Sequence, residues 1–448
     1  MLLRLAAIWL FLAFGCVAAS AHATLVRSEP ADGAVLAAAP DGLVLVFNEP
    51  VSPLVLRLVG ADGESVPLDD VAVSQETVTV GLPAGLGDGG WVVSWRVVSG
   101  DGHPIGGSVV FSVGTGGAGS AVRPVAGDDE TGWPLRTAIA ATRALIYVGL
   151  FVGIGGVFFA AFVAPPPVAG LRAMAFALAA APIAVLLSVS LQGLDARGLP
   201  LAEVARAESW RAGFATSYGT AALVAVLAAL PALVGLGTGG NIRRGLAVAA
   251  LVALGSAFAL TGHASAAPPQ WLMRPAVFVH TVGVAMWVGA LVPLGCLLLS
   301  AHDHGSVAAL RRFSRMIPWV VAPLVASGVI LAIVQVGTLG ALVTTGYGVV
   351  LLAKGVLLVV LFVLAALNRM ALTQPALAGD AVATRRLAAS VAAEIVIVAA
   401  ILAVVALWRF TPPPRAFAGP APAASVTAHL HGDAGSAMVT VTPSRAGR

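Results

Sequence analysis

Trp91-Val92-Val93-Ser94-Trp95-Arg96-Val97-Val98, running into Ser99-Gly100-Asp101-Gly102-His103-Pro104, decides the fold of the N-terminal part of the chain. Trp91, Val93, Trp95 and Val97 alternate with Val92, Ser94, Arg96 and Val98, a period-2 pattern with one aromatic face that predicts a strand. The Gly-Asp-Gly-His-Pro run breaks it, and Val109, Phe111 and Val113 resume the alternation. Working outward, residues 43–47, 55–59 and 77–80 read as further short strands, with Pro50 and Pro53 marking a turn. About seven strands within residues 22–114 predict a small antiparallel sandwich or barrel. Residues 23–118 carry eleven acids against three arginines, so this part is acidic.

The rest of the chain obeys a different solvent. Of 448 residues, 58% are hydrophobic and 10% charged, where a soluble domain carries about 25% charged residues; the mean hydropathy is +0.95. Eight apolar stretches of spanning length fall near 138–163, 173–192, 214–236, 245–262, 275–299, 316–337, 347–367 and 387–408, predicting an all-α polytopic membrane domain of eight transmembrane helices over residues 136–410. If the acidic domain is exported, the inner loops hold Arg172, Arg243, Arg244, Arg311, Arg312, Arg315, Arg369, Arg385 and Arg386, and the outer loops Arg197, Arg206, Arg211 and Arg274. Nine against four agrees with the positive-inside rule. The basic residues lie between apolar spans and form no soluble positive face, which argues against a nucleic-acid partner.

Residues 1–21 read as a signal peptide: Arg4, an apolar core, then Ala19-Ser20-Ala21 before the cut. Cleavage there makes His22 the first residue. Residues 115–135, Gly-rich and then acidic, read as a linker, and 411–448 as a tail on the outer side, flexible or a truncated further β-domain. Two cysteines, Cys16 in the leader and Cys296 in a span, exclude a disulfide framework and a thiolate cluster. Metal chemistry therefore falls to His, carboxylate and Met. The soluble part has only His22 and His103. An α-amine, one or two imidazoles and the Asp101 carboxylate make a tetragonal N,O set that suits Cu(II).

His22-Ala23, Ser28-Glu29-Pro30-Ala31-Asp32-Gly33, Phe47-Asn48-Glu49-Pro50-Val51 and Trp95 through Pro104 resemble the CopC family of periplasmic copper-binding proteins. The resemblance implies an immunoglobulin-like sandwich and ligation of Cu(II) by the amine and imidazole of His22, by Asp101 and by His103. No Met lies between Met1 and Met174, so the Met-rich Cu(I) site of many family members is missing and the domain is expected to bind Cu(II) only.

Ionisable residues inside spans are expensive and default to functional hypotheses. His263, at the end of the fourth span, and His280, on the fifth, are expected at matching depth near the outer mouth, with Met273 one heptad before His280 and Met286 on an adjoining stripe: a candidate copper path whose valence stays open. Lys354 and Glu394 are expected at similar depths, as an intramembrane ion pair. Arg143 with Tyr147, Thr261-Gly262-His263-Ala264, His280 with Met286 through Leu291, Arg312-Phe313-Ser314, Tyr347-Gly348 with Lys354, Asn368-Arg369, and Arg386 with Glu394 resemble, in that order, the CopD family of inner-membrane copper-resistance proteins. The expectation is a non-catalytic protein of the bacterial inner membrane, with its N-terminal domain in the periplasm, that binds copper there and carries it across the bilayer, receiving it from periplasmic donor proteins. A copper-dependent or haem-containing membrane redox protein is the alternative. His302 and His304 in an inner loop, and His429 and His431 in the tail, carry no assigned role.

Overall fold

In the computed structural model, the residues described are 25–47, 50–60, 64–99, 104–114, 133–267, 269–300, 304–411, 414, 426–432 and 435–441. The N-terminal strands are β1 (Leu25–Glu29), β2 (Ala34–Leu36), β3 (Gly42–Phe47), β4 (Val51–Gly60), β5 (Ser65–Pro67), β6 (Val71–Ser74), β7 (Thr77–Gly81), β8 (Gly89–Ser99) and β9 (Pro104–Val113). They form two sheets, in the orders β1-β3-β7-β6 and β2-β9-β8-β4-β5. All pairings are antiparallel except β2 with β9. β9 begins at Pro104, five residues before Val109 where the alternation resumes, because Val98↔Pro104 and Val97↔Ile105 already pair.

The period-2 residues build the core. Leu43, Leu45, Phe47, Val78 and Val80 from one sheet meet Leu56, Leu58, Val93, Trp95, Val97, Val109, Phe111 and Val113 from the other. Trp95 stands edge-on to Phe47, 5.3 Å between ring centroids at 81°. It also fixes the identity of its cross-strand neighbour Gly107, where a Cβ would lie 2.4 Å from the indole.

Eight long apolar helices follow: α1 (Trp133–Phe162), α2 (Val168–Arg197), α3 (Ser217–Leu236), α4 (Gly240–Ala259), α5 (Gln270–Leu299), α6 (His304–Val336), α7 (Gly346–Leu367) and α8 (Ala381–Ala406). A helix pairs most of its backbone polar groups within itself, which hydrocarbon demands. α1 is central, packed on α2, α4, α5 and α8, while α6 leans on α5 and α7 on α8. Where α1 crosses α5 the backbones touch: a Cβ on Gly155 would lie 1.7 Å from the Ala285 carbonyl oxygen, and Gly289 faces Gly155. Small residues let membrane helices approach this closely, and dispersion then holds them. α6 and α7 are the helices least covered by the rest of the chain.

Several helices outrun the expected spans. α2 continues to Arg197 and α5 starts at Gln270, because polar residues at a helix end lower the hydropathy without breaking the helix. His304 opens α6; His302 lies outside the described residues. In the tail, β10 (Val426–Gly432) and β11 (Gly435–Val441) form an antiparallel hairpin with His429 opposite Met438.

Candidate functional site

Three registers meet at one end of the sandwich. Leu25 pairs with Phe47, Val51 with Ser99 and Val98 with Pro104. The start of β1, the β3–β4 connection and the β8–β9 loop therefore share that end. His22, Asp101 and His103 themselves lie outside the described residues. Among the described residues no three His, Cys, Asp or Glu side chains gather in a metal-binding group.

The sandwich also meets the bundle. On β8, Trp95 faces the core and Arg96 the opposite way; its Nη2 donates to the Asp195 carbonyl oxygen at 2.9 Å. Gly198, left-handed at φ 67°, caps α2 there, and its missing Cβ leaves room for the Arg96 guanidinium. The Asp195 carboxylate is paired with Arg409 from the 3-10 turn after α8, and both side chains are buried. Both residues fall just beyond the apolar runs 173–192 and 387–408. Nothing local signals the pair, since its members stand 214 residues apart.

Inside the bundle, His280 Nδ1 lies 3.3 Å from the Leu324 carbonyl oxygen and 3.4 Å from Ser327 Oγ, both on α6. Gly328 packs directly on the ring, where a Cβ would come within 3.1 Å of Cε1. With Nδ1 turned to the carbonyl, Nε2 is the nitrogen left to accept a ligand; an oriented second ring nitrogen is how proteins prepare a metal-binding imidazole. Met273 is fully buried on the same helix, and Met286 half-buried beside Trp287, which stacks on Phe362 at 5.4 Å.

His263 and His280 stand on different elements, and the expected ion pair needs correction. His263 opens a four-residue helix in the α4–α5 connector, whereas His280 lies about 15 Å along α5 from Gln270, at ~1.5 Å per residue. The side chain of His263 is outside the description. Lys354 and Glu394 do not pair. Lys354 Nζ lies 4.8 Å from the Trp408 ring centroid, and Glu394 accepts from Asn368 Nδ2 at 2.7 Å. The cause is the tilt of every Cα–Cβ bond toward its helix N-terminus. α7 and α8 run in opposite directions, so the lysine reaches toward the β-domain end and the glutamate away from it. Asn368 opens a π-helical segment, Asn368–Leu372. Trp408, which also stacks on Tyr347 at 5.2 Å, was missed; its place near the end of an apolar run reads as an ordinary interfacial aromatic.

Fold and site together define a polytopic membrane protein that carries a β-sandwich docked on one end of an eight-helix bundle. The comparisons narrow this class. Residues 25–114 match the CopC domain, residues 134–271 the copper resistance protein D-like N-terminal domain, and residues 307–408 copper resistance protein D. The chain belongs to the CopC–CopD copper-resistance proteins, with both halves joined in one polypeptide. The copper transport protein CutJ of Bacillus subtilis (strain 168) is 28% identical over 391 residues, 80% of this chain and 70% of that protein. Protein YobA of Escherichia coli (strain K12) is 35% identical over 98 residues, 21% of this chain and 79% of that protein. Among solved structures, CopC from Methylosinus trichosporium OB3b is 30% identical, covering 20% of this chain and 93% of that one at a TM-score of 0.19. PcoC, a methionine-rich copper resistance protein from Escherichia coli, is 28% identical, covering 21% and 99% at a TM-score of 0.18.

Proposed function

We propose that this protein captures Cu(II) on the outer side of the inner membrane and delivers copper through the bundle toward the cytoplasm. The ligands in the sandwich are the amine and imidazole of His22, the Asp101 carboxylate and the His103 imidazole. One observation carries the reading: the registers of β1, β4, β8 and β9 bring both chain segments to the same end. From Leu25, the three residues back to His22 reach about 10 Å, enough to close a site with the loop after Ser99. Arg96 sits three residues before that loop and docks on Asp195, so the same strand that leads to the site leans on the bundle. Delivery then runs to His280, whose Nε2 accepts the ion, an imidazole serving either copper valence; Met273, on the same face, and Met286 supply thioether sulfur. His263, in the connector above, belongs to the same entry. CutJ, 28% identical, is named for copper transport, which supports a transport role.

The test uses the full chain. Protein whose N-terminus is His22 should bind Cu(II) far more tightly than protein carrying one extra residue before it. The loss should exceed the roughly 10- to 100-fold that follows removal of an outer-sphere hydrogen-bond partner. His280→Ala should abolish copper accumulation in cells and leave Cu(II) binding intact. Equal Cu(II) affinity of the two N-termini would overturn the sandwich site. Normal accumulation by correctly inserted His280→Ala protein would overturn the path.

A further inference from the structure

At the end of the bundle opposite the β-domain, the arginines divide into two groups. Arg243, Arg244 and Arg312 have structural work: they donate to the carbonyl oxygens of Ala160, Ala161 and Val163, which the end of α1 leaves without helical partners. Arg311, Arg315 and Arg369 instead line a cavity of about 440 Å³ between α6 and the segment after α7, together with Ser314 and Gln374. The cavity lining contains no acidic residue, and among the described residues no carboxylate pairs with any of the three.

Arg311 and Arg315 are four residues apart on one helix, so their side chains share a face. Like charges at that spacing destabilise a helix unless an anion bridges them. The third guanidinium is already aimed: Arg369 Nη1 donates to the Ser314 carbonyl oxygen at 2.5 Å and lies 3.2 Å from Ser314 Oγ. Three guanidiniums, a hydroxyl and an amide line the cavity. Such a set repels a bare copper ion, and its forked N–H groups match the oxygens of a phosphoryl group.

We propose that this cavity is a phosphoryl-anion site, filled by the headgroup of an anionic phospholipid. The lipid source is favoured because the cavity is lined by α6 and the segment that follows α7, α6 and α7 being the two helices with the least protein cover, and basic pockets between membrane helices take acidic headgroups. Free phosphate shares the chemistry and is distinguished by the test. The full chain is reconstituted in nanodiscs of equal phosphatidylglycerol and phosphatidylcholine, and the lipids that stay bound after extraction are counted by native mass spectrometry. The wild type should retain phosphatidylglycerol preferentially. Arg311→Gln with Arg315→Gln should weaken that retention about fivefold per arginine, Arg311→Lys with Arg315→Lys should restore part of it, and Arg243→Gln should leave it unchanged. If the double variant inserts poorly, Arg315→Gln alone gives the same readout. Displacement of phosphatidylglycerol by millimolar inorganic phosphate in the wild type supports the phosphoryl site with a free-phosphate source. Equal retention of both lipids by the wild type, together with no effect of phosphate, overturns the proposal.

Discussion

Arg409→Met removes one partner of the Asp195 pair and leaves a carboxylate enclosed by protein. Its side chain is 9% exposed and that of Arg409 5%. Asp195 stands in the last turn of α2, where the helix dipole already places negative charge, so its carboxylate loses its direct ion-pair partner against the field of its own helix. Breaking a buried ion pair from one side costs about 3–5 kcal/mol. For a domain of this size each kcal/mol shifts the melting temperature by about 2–4 °C, so a fall of roughly 10 °C is expected. Thermal unfolding of the detergent-solubilised full chain, followed by tryptophan fluorescence, measures it. Asp195→Asn in the Arg409→Met background removes the uncompensated charge and should recover most of the loss. An Arg409→Met melting temperature within about 2 °C of the wild type, or a double variant no better than the single, would refute the assignment of the pair as a buried lock.

Gly155→Ala should lower the yield of folded protein sharply, because the added methyl would meet the Ala285 carbonyl and overpacking typically costs about 1–3 kcal/mol; size-exclusion chromatography of the solubilised protein reads this out. Lys354→Ala and Glu394→Ala should be additive in stability within about 0.5 kcal/mol, since they have separate partners in Trp408 and Asn368; a large coupling energy would show that the two side chains do meet. Gly107→Ala should displace the Trp95 ring, visible as a change in near-ultraviolet circular dichroism, with a melting loss confined to the β-domain.

Periodicity exposed both architectures. The alternation at Trp91–Val98 gave β8 and its inward face, and the apolar runs gave all eight helices. What it could not expose is direction and distance. Lys354 and Glu394 have similar depths on paper, yet the antiparallel sense of their helices sends their side chains apart. Asp195 lowered the hydropathy at the end of α2 and so read as loop, although Arg409 had made it an interior residue. His280 was recognisable as an ionisable group in a span; that Leu324 and Ser327 orient its ring was not, because they belong to another helix.

The separation of Asp195 from Arg409 also sets an order of events during synthesis. The acid emerges 214 residues before its arginine, a wait of roughly 10–40 s at ribosomal speed. Throughout that interval α2 holds an unneutralised charge at the bilayer edge, and α1 lacks one wall of its packing. Insertion of the last helix supplies both at once. A chain that has not yet received α8 therefore lacks both the counter-charge of Asp195 and one wall of α1.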